Sequence, residues 1–443
     1  MTTLPAGPRF PALQAFKLAR DTKGFFLETA RRYGDPFRLP LPMGEVVGTG
    51  DPEGIREIFT ADPALFTPYA VMPLEPVVGR HSLLLLDGLR HRRERKLLTP
   101  PFHGDRMRAY GELMAAITRR KASELSAGAA FKAQDLTQNI SLEVIIEAVF
   151  GVSDPARIAL FREVIVSYLE AYTPPLMMAT PLRHSFGGFG PWARFQRHTA
   201  RFHALLADEM AARRKSGEIR DDILSLLLSV RDEEGQPMSD AEIDDELRTM
   251  LIAGHETTAI GMAWALDAIH RNSRIRERLH EEIGALGPAP SAEALSKLPY
   301  LSAVCDEALR FNPVVGMVSR KLLAPFTLRG REIPAGMGVM AAIVLVHNNP
   351  ALYPEPEVFR PERFLERKFT PFEYLPFGGG ARRCLGAAFA LYEMKIVLGT
   401  LLAAHRFQVL SAEPPRVVRR NVTLGPAEGA PLRYLGPRER AVA

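Results

Sequence analysis

The 443-residue sequence predicts a mainly α-helical protein with small β-sheets. Helix start signals and apolar residues at helical spacing recur along most of the chain, and the longest such segment runs from Asp240 to Arg271. Segments that are typical of strands are short and lie near the beginning and towards the end of the chain. A hydrophobic content of 47% and a charged content of 24% indicate a globular protein with a large core.

Composition also limits the expected cellular location and the expected classes of binding partner. Two cysteines provide no disulfide framework, so a cytoplasmic location is expected. The residues from Met1 to Pro8 lack the basic and apolar regions of a signal peptide, and the longest aliphatic run, Leu83 to Leu86, is too short to span a bilayer. We therefore expect no membrane anchor. The net charge of +5 comes mainly from arginine without a basic cluster that is interleaved with aromatic residues, so no nucleic-acid partner is expected.

The first part of the chain alternates short elements. Residues 37–41 and 45–49 are typical of two strands around a Pro-Met-Gly turn, and Asp51 before a proline predicts a short helix. Residues 62–90 are rich in proline and glycine and predict a long loop, and loops of that length are often functional. Towards the other end of the chain, strands are predicted at 326–333, broken by Arg329 and Gly330, and at 339–346, 406–410 and 417–424.

A run of cations opens the next predicted helix, at residues 89–96. Such a run is usually a solvated basic face. His91 and Arg95 nevertheless share one side of this helix, because they lie four residues apart, and paired cations bind carboxylates well. Residues 172–191 contain too many prolines and glycines to be helical throughout. Further helices are predicted at 105–126, at 137–150 and from Pro155.

The longest predicted helix begins with a capping box formed by Ser239 and Glu242. Its interior is apolar, so burial is expected, yet it contains the hexad Ala-Gly-His-Glu-Thr-Thr at residues 253–258. A glycine, an acid and two hydroxyls are poor choices for the centre of a buried helix. Such local exceptions are expected at functional sites. We assign no special role to His255 within the hexad.

Residues 377–390 are the most informative stretch. Three consecutive glycines precede Cys384, and an apolar run that is typical of a helix follows it. Glycines permit backbone conformations that other residues resist, and the N–H groups at a helix start favour a thiolate over a thiol. A thiolate placed two residues after Arg382 suits a large metal cofactor that carries carboxylates. The alternative is a buried free cysteine after a flexible turn, which is also the expectation for Cys305.

These segments resemble the cytochrome P450 family. Residues 377–386 match its pattern F-x-x-G-x-R-x-C-x-G at every specified position, and residues 253–258 match its oxygen-activation motif. Glu307 and Arg310 match its Glu-x-x-Arg pair, and residues 361–364 match its Pro-Glu-Arg-Phe segment. The motifs occur in the order in which the family has them.

The resemblance implies a triangular prism of helices with small β-sheets, with haem between the long central helix and the Cys384 loop. It covers nearly the whole chain, so residues 1–443 are expected to form one domain, and we expect a monomer. The cofactor would be haem b, with Cys384 as the thiolate ligand of iron. Four residues would hold haem propionates: His91, Arg95, Arg320 and Arg382. The other residues implied to contact the cofactor are Ala253, Gly254, Phe377, Gly378 and Gly386.

Glu256 and Thr257 would be the catalytic pair. The Thr257 hydroxyl can hold water, and Glu256 can relay protons from solvent. Small side chains at Ala253 and Gly254 would let the haem face approach the helix. The reaction that the resemblance implies is the insertion of one oxygen atom from O₂ into a C–H or C=C bond, while the other atom leaves as water.

Arg363, in the Pro-Glu-Arg-Phe segment, is expected to complete a buried network with Glu307 and Arg310. The network would brace the cysteine loop, and loss of one member would strand a buried charge at a cost of about 3–5 kcal/mol. His347 lies in a His-Asn-Asn-Pro sequence that indicates a turn. A haem contact from His347 is the weaker alternative.

No flavin or nicotinamide domain fits in the chain, so we expect electrons from an acidic ferredoxin and its NAD(P)H-dependent reductase. Docking of the ferredoxin would use the basic residues Arg92, Arg93, Lys96 and Arg383. Two alternatives stay within haem-thiolate chemistry: a peroxide-driven peroxygenase and a protein that binds ligands without turnover. The retained pair Glu256 and Thr257 favours O₂ over peroxide. A helical protein with a free thiol and no haem is the remaining alternative.

The expected substrate is a hydrophobic small molecule, with a fatty acid or terpenoid first and a macrolide-like secondary metabolite next. By resemblance, the pocket is bordered by largely apolar residues at 71–86, 172–184, 250–253, 314–318 and 422–424. Arg80 or Arg183 could anchor a carboxylate, but exposure at the surface is the expectation for both.

Overall fold

The structure, a computed structural model, describes residues 4–69, 71–102, 106–218 and 220–438. These residues form two compact units, which are described separately below. The first unit comprises the described residues within Met1–Tyr69, Met114–Gln138 and Thr257–Ala443, and the second those within Ala70–Leu113 and Asn139–Glu256. The expectation that residues 1–443 form one domain stays a prediction.

Helices account for most of the described chain. In chain order they are α1 (Pro11–Arg20), α2 (Thr22–Tyr33), α3 (Pro52–Thr60), α4 (Val71–Val78), α5 (Gly88–Leu98), α6 (Arg106–Ser123), α7 (Ala133–Val144), α8 (Pro155–Ala171), α9 (Pro174–Met178), α10 (Gly190–Ser216), α11 (Ile223–Ser229), α12 (Asp240–Arg271), α13 (Ser273–Gly284), α14 (Ala292–Ser296), α15 (Pro299–Phe311), α16 (Ile343–Val346), α17 (Arg363–Glu366) and α18 (Ala387–Ala404). The predicted start of α6 at residue 105 lies outside the described residues.

Strands are short, as predicted, and belong to the first unit. They are β1 (Phe37–Leu41), β2 (Gly44–Thr49), β3 (Phe66–Pro68), β4 (Ala130–Lys132), β5 (Val318–Leu322), β6 (Phe326–Leu328), β7 (Arg331–Ile333), β8 (Gly338–Ala341), β9 (His405–Val409), β10 (Val417–Arg420), β11 (Thr423–Pro426) and β12 (Pro431–Pro437). The largest sheet has the order β1-β2-β8-β5-β3, in which only β2 and β8 are parallel. A second sheet has the order β4-β12-β9, and β6-β7 and β10-β11 are hairpins.

The five-stranded sheet carries a hydrophobic cluster on each face. Because successive side chains of a strand point to opposite faces, Val47 and Val339 belong to the cluster that includes α3, whereas the adjacent Val46 and Met340 belong to the other. Phe59 lies in the first cluster. This packing holds β5 and the end of α3 in place, and both contribute to the candidate site.

Aromatic packing joins α8 and α10 in the second unit. The ring of Tyr168 lies 5.1 Å from Phe202 and 5.9 Å from Phe195 between centroids, and Phe195 also contacts Tyr172 at 4.8 Å. Aromatic pairs at such distances contribute beyond the burial of their area. The Tyr168 hydroxyl donates to the Val77 carbonyl, so the pair of helices also fixes α4.

The prediction for the longest helix is confirmed at both ends. Helix α12 runs from Asp240 to Arg271 without interruption. The capping box forms as well, because the Ser239 amide donates to Glu242 at 2.8 Å and the Glu242 amide donates to the Ser239 hydroxyl at 3.3 Å.

The expectation of a loop at residues 62–90 is wrong, because this segment contains β3 and α4. Pro76 inside α4 has no N–H for the Met72 carbonyl, and proline normally ends a helix for this reason. Here the Arg183 guanidinium donates to that carbonyl at 3.0 Å, and the Tyr172 hydroxyl donates to the Pro73 carbonyl at 2.7 Å. The Arg183 side chain, which is distant in sequence, thus replaces the missing donor.

Two predicted strands also differ from the structure. In the segment 339–346, strand β8 ends at Ala341 and α16 follows. The sequence did not predict this change, because a continuous apolar run fits a buried strand and a buried helix equally well. The segment 417–424 contains β10 and the start of β11, which form a hairpin with Asn421 at φ 55° in its turn. Asparagine is among the residues that tolerate this conformation.

Candidate functional site

The loop that carries Cys384 belongs to the first unit and is closed by its own backbone. The Cys384 amide donates to the Phe377 carbonyl at 2.9 Å. Gly378 and Gly380 have φ values of 64° and 65°, which favour glycine. A Cβ at Gly380 would lie 2.4 Å from the carbonyl oxygen of Phe59, and one at Gly379 would lie 2.2 Å from the Phe59 ring. The glycines are therefore required both by the turn and by the close approach of α3.

The two cysteines lie in opposite environments. Cys384 is exposed, just before Gly386 and the start of α18, whereas Cys305 is fully buried in α15. Within the described chain neither forms a disulfide. Burial raises the pKa of the Cys305 thiol well above its usual value, so this side chain stays protonated in the core. Of the two thiols, only Cys384 is accessible to a ligand.

Arg320 lies beside the cysteine loop in the first unit. It projects from β5 and donates to the carbonyls of Gly379 at 2.8 Å and Ile58 at 3.2 Å. Burial, and then the neighbouring charge of Arg382, lower the pKa of Arg320 to about 10. The guanidinium remains protonated at neutral pH, so two positive charges lie next to the glycine loop.

Glu307 lies between two arginines of the first unit. Its carboxylate accepts from Arg310 at 2.7 and 2.8 Å and from Arg363 at 3.2 Å. All three side chains are buried. The amide of Arg360 also donates to Glu307, at 2.8 Å, so the cluster ties α15 to the segment that precedes α17.

His347 contacts both this cluster and the segment before the cysteine loop, which the sequence did not indicate. Its carbonyl accepts from Arg310 at 2.9 Å, and its Nε2 accepts from the Leu375 amide at 3.1 Å, just before the cysteine loop. Burial, and then the nearby Arg310, lower the pKa of His347 to about 3, so the ring stays neutral and can accept this bond. The His347 contact connects the Glu307 cluster to the loop, whereas the turn alone suggested no such link.

The hexad of α12 occupies the middle of a continuous helix. Ala253 is exposed and the four residues from Gly254 to Thr257 are half-buried, whereas Leu251 and Thr258 on either side are buried. Gly254 lies against Ile145, which a Cβ would meet at 3.4 Å, an ordinary contact. Glu256 and Thr257 are thus adjacent on an accessible stretch of an otherwise buried helix.

His91 and Arg95 lie one turn apart on α5 in the second unit. His91 is buried and Arg95 is half-buried. Two neighbouring cations that were expected to form a basic docking surface are paired with acids: Arg93 contacts Asp232 at 2.7 Å, and Lys96 contacts Glu233. Arg92 stays exposed. The pairing removes much of the positive charge on which the docking hypothesis depended.

Helix α18 is long and apolar enough to cross a membrane by length and composition, the one such helix within the described residues. Polar residues within the segment interrupt its aliphatic residues, so no long aliphatic run marks it in the sequence. However, 61% of the segment is buried inside the fold, and core helices of soluble proteins meet the same criteria.

Known proteins with similar sequences decide the family. The profile described as Cytochrome P450 matches residues 4–430. Cytochrome P450 135B1 of Mycobacterium tuberculosis is 36% identical over 442 residues, which cover 98% of this chain and 92% of that protein. The chain belongs to the cytochrome P450 family.

Further P450 proteins agree with this assignment. Cytochrome P450 138 of Mycobacterium bovis is 32% identical, with 96% of this chain and 95% of that protein covered. The structure of retinoic acid bound cyanobacterial CYP120A1 matches with a TM-score of 0.84 at 26% identity, covering 98% of this chain and 99% of that chain. The predicted P450 fold is therefore confirmed.

Membership in the P450 family establishes the chemistry in outline. The chain is a haem-thiolate monooxygenase, an oxidoreductase that uses haem b held by a cysteine thiolate. P450 enzymes act on hydrophobic substrates with O₂ and redox partners. The first unit fits this cofactor, because it combines an accessible thiol at Cys384 with the charges of Arg320 and Arg382 and with glycines where a side chain would obstruct the loop.

Proposed function

We propose that the chain oxidises a hydrophobic small molecule with haem b bound through the thiolate of Cys384, using electrons from a ferredoxin and its reductase. The observation that carries this proposal is the exposed Cys384 on a loop whose glycines are fixed against Phe59, with Arg320 beside it. The buried Cys305 offers no alternative ligand.

Several residues are proposed to bind the cofactor. Arg320 and Arg382 would pair with propionate carboxylates, since a partly desolvated guanidinium gains most from an anion. His91 and Arg95 are proposed for the same task, and Phe377, Gly378 and Gly386 would contact the macrocycle. Ala253 and Gly254 would leave room for it on α12, because neither has a side chain beyond Cβ.

Proton delivery is assigned to Glu256 and Thr257. When bound, haem with a thiolate ligand activates O₂ and inserts one oxygen atom into the substrate. The Thr257 hydroxyl would hold a water molecule at the helix surface, and Glu256 would exchange protons with solvent, which its half-buried position permits. The second oxygen atom takes up these protons and leaves as water.

The test of the cofactor assignment is Cys384→Ser against the matched control Cys305→Ala. The parent, reduced under CO, is expected to give a thiolate-type Soret band, and Cys384→Ser is expected to lose it. Cys305→Ala should keep the band, because Cys305 is in the core. A band that persists in Cys384→Ser would overturn the assignment.

For the substrate, we propose a fatty acid or terpenoid first and a macrolide-like secondary metabolite next. The support is the apolar character expected of the pocket and the retinoic acid bound by the cyanobacterial relative, since retinoic acid is an isoprenoid acid. Arg183 is half-buried and donates to the carbonyls of Met72, Leu176 and Met177, which supports a structural task instead of a carboxylate anchor. A panel of lipids, terpenes and macrolides should shift the haem spin state, and a response to strongly polar molecules alone would contradict the proposal.

For the electron donor, we propose Arg92 and Arg383, which are exposed cations, as residues that dock an acidic ferredoxin. Reversal of one of these charges should lower the rate of ferredoxin-driven reduction and its sensitivity to salt. Arg433→Glu, on the three-stranded sheet, is a matched control. Equal rates for Arg92→Glu, Arg383→Glu and Arg433→Glu would end the docking proposal.

A peroxide-driven peroxygenase is the second candidate, and Thr257→Ala separates the two. Peroxide brings its own protons, whereas O₂ needs protons from the protein. Thr257→Ala should therefore lower O₂-driven turnover more than peroxide-driven turnover. An equal loss on both routes would contradict the proposed task of Thr257, and spectral shifts without product would favour a ligand-binding protein. A cytoplasmic location and a monomeric state complete the proposal.

A further inference from the structure

Asp306, Tyr374 and His347 form a column of contacts in the first unit, outside the sequence motifs described above. The Tyr374 hydroxyl lies 3.0 Å from a carboxylate oxygen of Asp306 and 3.1 Å from its carbonyl oxygen. The Tyr374 ring stacks on His347 with a centroid distance of 5.6 Å and an interplanar angle of 23°. The Leu375 amide donates to His347 Nε2 at 3.1 Å.

The column ends where the cysteine loop begins. Leu375 is buried, and its carbonyl accepts from the Gly378 amide at 3.0 Å, in the first turn of that loop. A hydrogen bond to the Leu375 amide therefore fixes the main chain at the point where it enters the Cys384 loop.

We infer that Asp306, Tyr374 and His347 are positioning residues that hold the main chain at Leu375 and thereby the Cys384 loop. This inference rests on the proposed function of Cys384. It adds a second connection between α15 and the loop, since Glu307 and Arg310 reach His347 from the same helix through its carbonyl. One helix thus holds both ends of His347, its carbonyl through Arg310 and its ring through Tyr374.

The charge of Asp306 matters to this column. Burial raises the pKa of Asp306 to about 6, although the Tyr374 hydroxyl and the nearby Lys395 of α18 both act to lower it. Burial, and then the charge of Asp306, raise the pKa of Tyr374, so its hydroxyl stays a donor. Cys305 and Tyr353 also face Tyr374, and both stay neutral because burial raises their pKa values.

Stability and positioning are expected to change in opposite directions with pH. Because the pKa of Asp306 is higher in the folded state than the usual value of 3.8, the penalty of the ionised side chain is complete above about pH 6, and acidification from there towards the usual value relieves it progressively. Protonation also replaces a charge-assisted bond to Tyr374 with a weaker one. The loop is therefore expected to loosen over the same range in which this group makes the fold more stable.

The experiment compares Tyr374→Phe and Asp306→Asn with the control Tyr434→Phe. Tyr434 is a buried tyrosine of the three-stranded sheet, with its hydroxyl 3.0 Å from His405 Nδ1. Hydrogen exchange at the Leu375 amide is measured by mass spectrometry in the haem-loaded proteins at about pH 8 and about pH 5. The thiolate-type Soret band under CO and the thermal midpoint are recorded in parallel.

Both test variants are expected to speed exchange at Leu375 about tenfold at the higher pH, the scale of one charge-assisted hydrogen bond, and to reduce the thiolate-type band. Exchange of an amide is itself base-catalysed, so the two pH values are compared through the protection factor, the intrinsic rate divided by the observed rate. Asp306→Asn should abolish the change in the Leu375 protection factor between these pH values, while its thermal midpoint at the higher pH stays at or above that of the parent. A merely structural task would lower the midpoint without this pH signature. Tyr434→Phe should leave the Leu375 exchange rate and the band unchanged.

Two results would overturn the inference separately from the proposed function. A parent with the band, together with test variants that match Tyr434→Phe in Leu375 exchange and in the band, would show that the column does not position the loop. A parent without the band would overturn the ligation by Cys384, and with it the inference. Faster Leu375 exchange with an intact band would also contradict the inference, because the loop would then be held by other contacts.

Discussion

Arg310 and Arg320, two buried arginines of the first unit, differ in how their charge is balanced. Arg310 is fully buried and pairs with both carboxylate oxygens of Glu307, at 2.7 and 2.8 Å. Arg320 is only 9% exposed, yet its hydrogen bonds go to main-chain carbonyls and its guanidinium lies over the rings of Phe59 and Phe66, at 5.3 and 5.4 Å from their centroids.

The difference separates a charge that a carboxylate compensates from a charge whose described contacts are main-chain carbonyls and aromatic rings. Glu307 compensates Arg310 within the protein, so that pair serves the fold. Burial of Arg320 costs desolvation energy, and its described contacts include no carboxylate. The neighbouring charge of Arg382 lowers the pKa of Arg320 further. A buried charge of this kind is costly in isolation and becomes favourable when an anion binds. The same residue type therefore braces the fold in one place and, as we propose, binds an anion in the other.

The largest expected effect comes from Arg310→Met. This change leaves the buried Glu307 with Arg363 as its remaining basic partner and removes the donor of the His347 and Pro356 carbonyls. We expect a loss of about 3–5 kcal/mol in the free energy of unfolding, measured by urea denaturation of the haem-free protein.

A matched control for that prediction is Arg360→Met. The Arg360 side chain pairs with Glu366 at the surface, where an ion pair contributes about 0–1 kcal/mol. Similar losses for Arg310→Met and Arg360→Met would remove the distinction between a brace and an ordinary surface pair.

An intermediate effect is expected from Gly380→Ala, which tests how the loop beside Arg320 is built. The φ of 65° disfavours alanine, and the new Cβ would lie 2.4 Å from the Phe59 carbonyl oxygen. We expect a loss of about 2 kcal/mol in the free energy of unfolding of the haem-free protein. Gly386→Ala, with φ −84° and no atom within 4 Å of the added Cβ, should change it by less than about 0.5 kcal/mol. Equal losses at the two glycines would contradict the close fit against Phe59.

The smallest effect on stability, and the sharpest test of the comparison, is expected from Arg320→Met. Loss of two hydrogen bonds to carbonyls is offset by release of a buried charge, so the free energy of unfolding without haem should change by less than about 1 kcal/mol. Haem retention, measured as the rate of haem transfer to a scavenging protein, should fall at least about tenfold. A destabilisation as large as that of Arg310→Met, with haem retention unchanged, would make Arg320 a second brace.

Local chemistry in the sequence was enough to place several parts of the site. The capping box at Ser239 set the start of α12, since a cap acts on the turn beside it. The glycines before Cys384 indicated a loop with left-handed residues, and Gly378 and Gly380 have such φ values. The cation run was correctly predicted to form a helix, α5. The sequence did not show that part of its positive charge is neutralised, because Arg93 pairs with Asp232, far along the chain.

The sequence by itself determined the family, the long helix and the identity of the accessible cysteine loop, because motifs, caps and periodicity act between neighbouring residues. Only the tertiary structure decided which charges are compensated and which are not. The tertiary structure places a side-chain donor beside the proline-containing helix α4 and Phe59 against the glycines of the cysteine loop. It also brings together the column from Asp306 to Leu375. These depend on side chains that meet only after folding, since the energy of a charge or a cavity is set by what surrounds it in space.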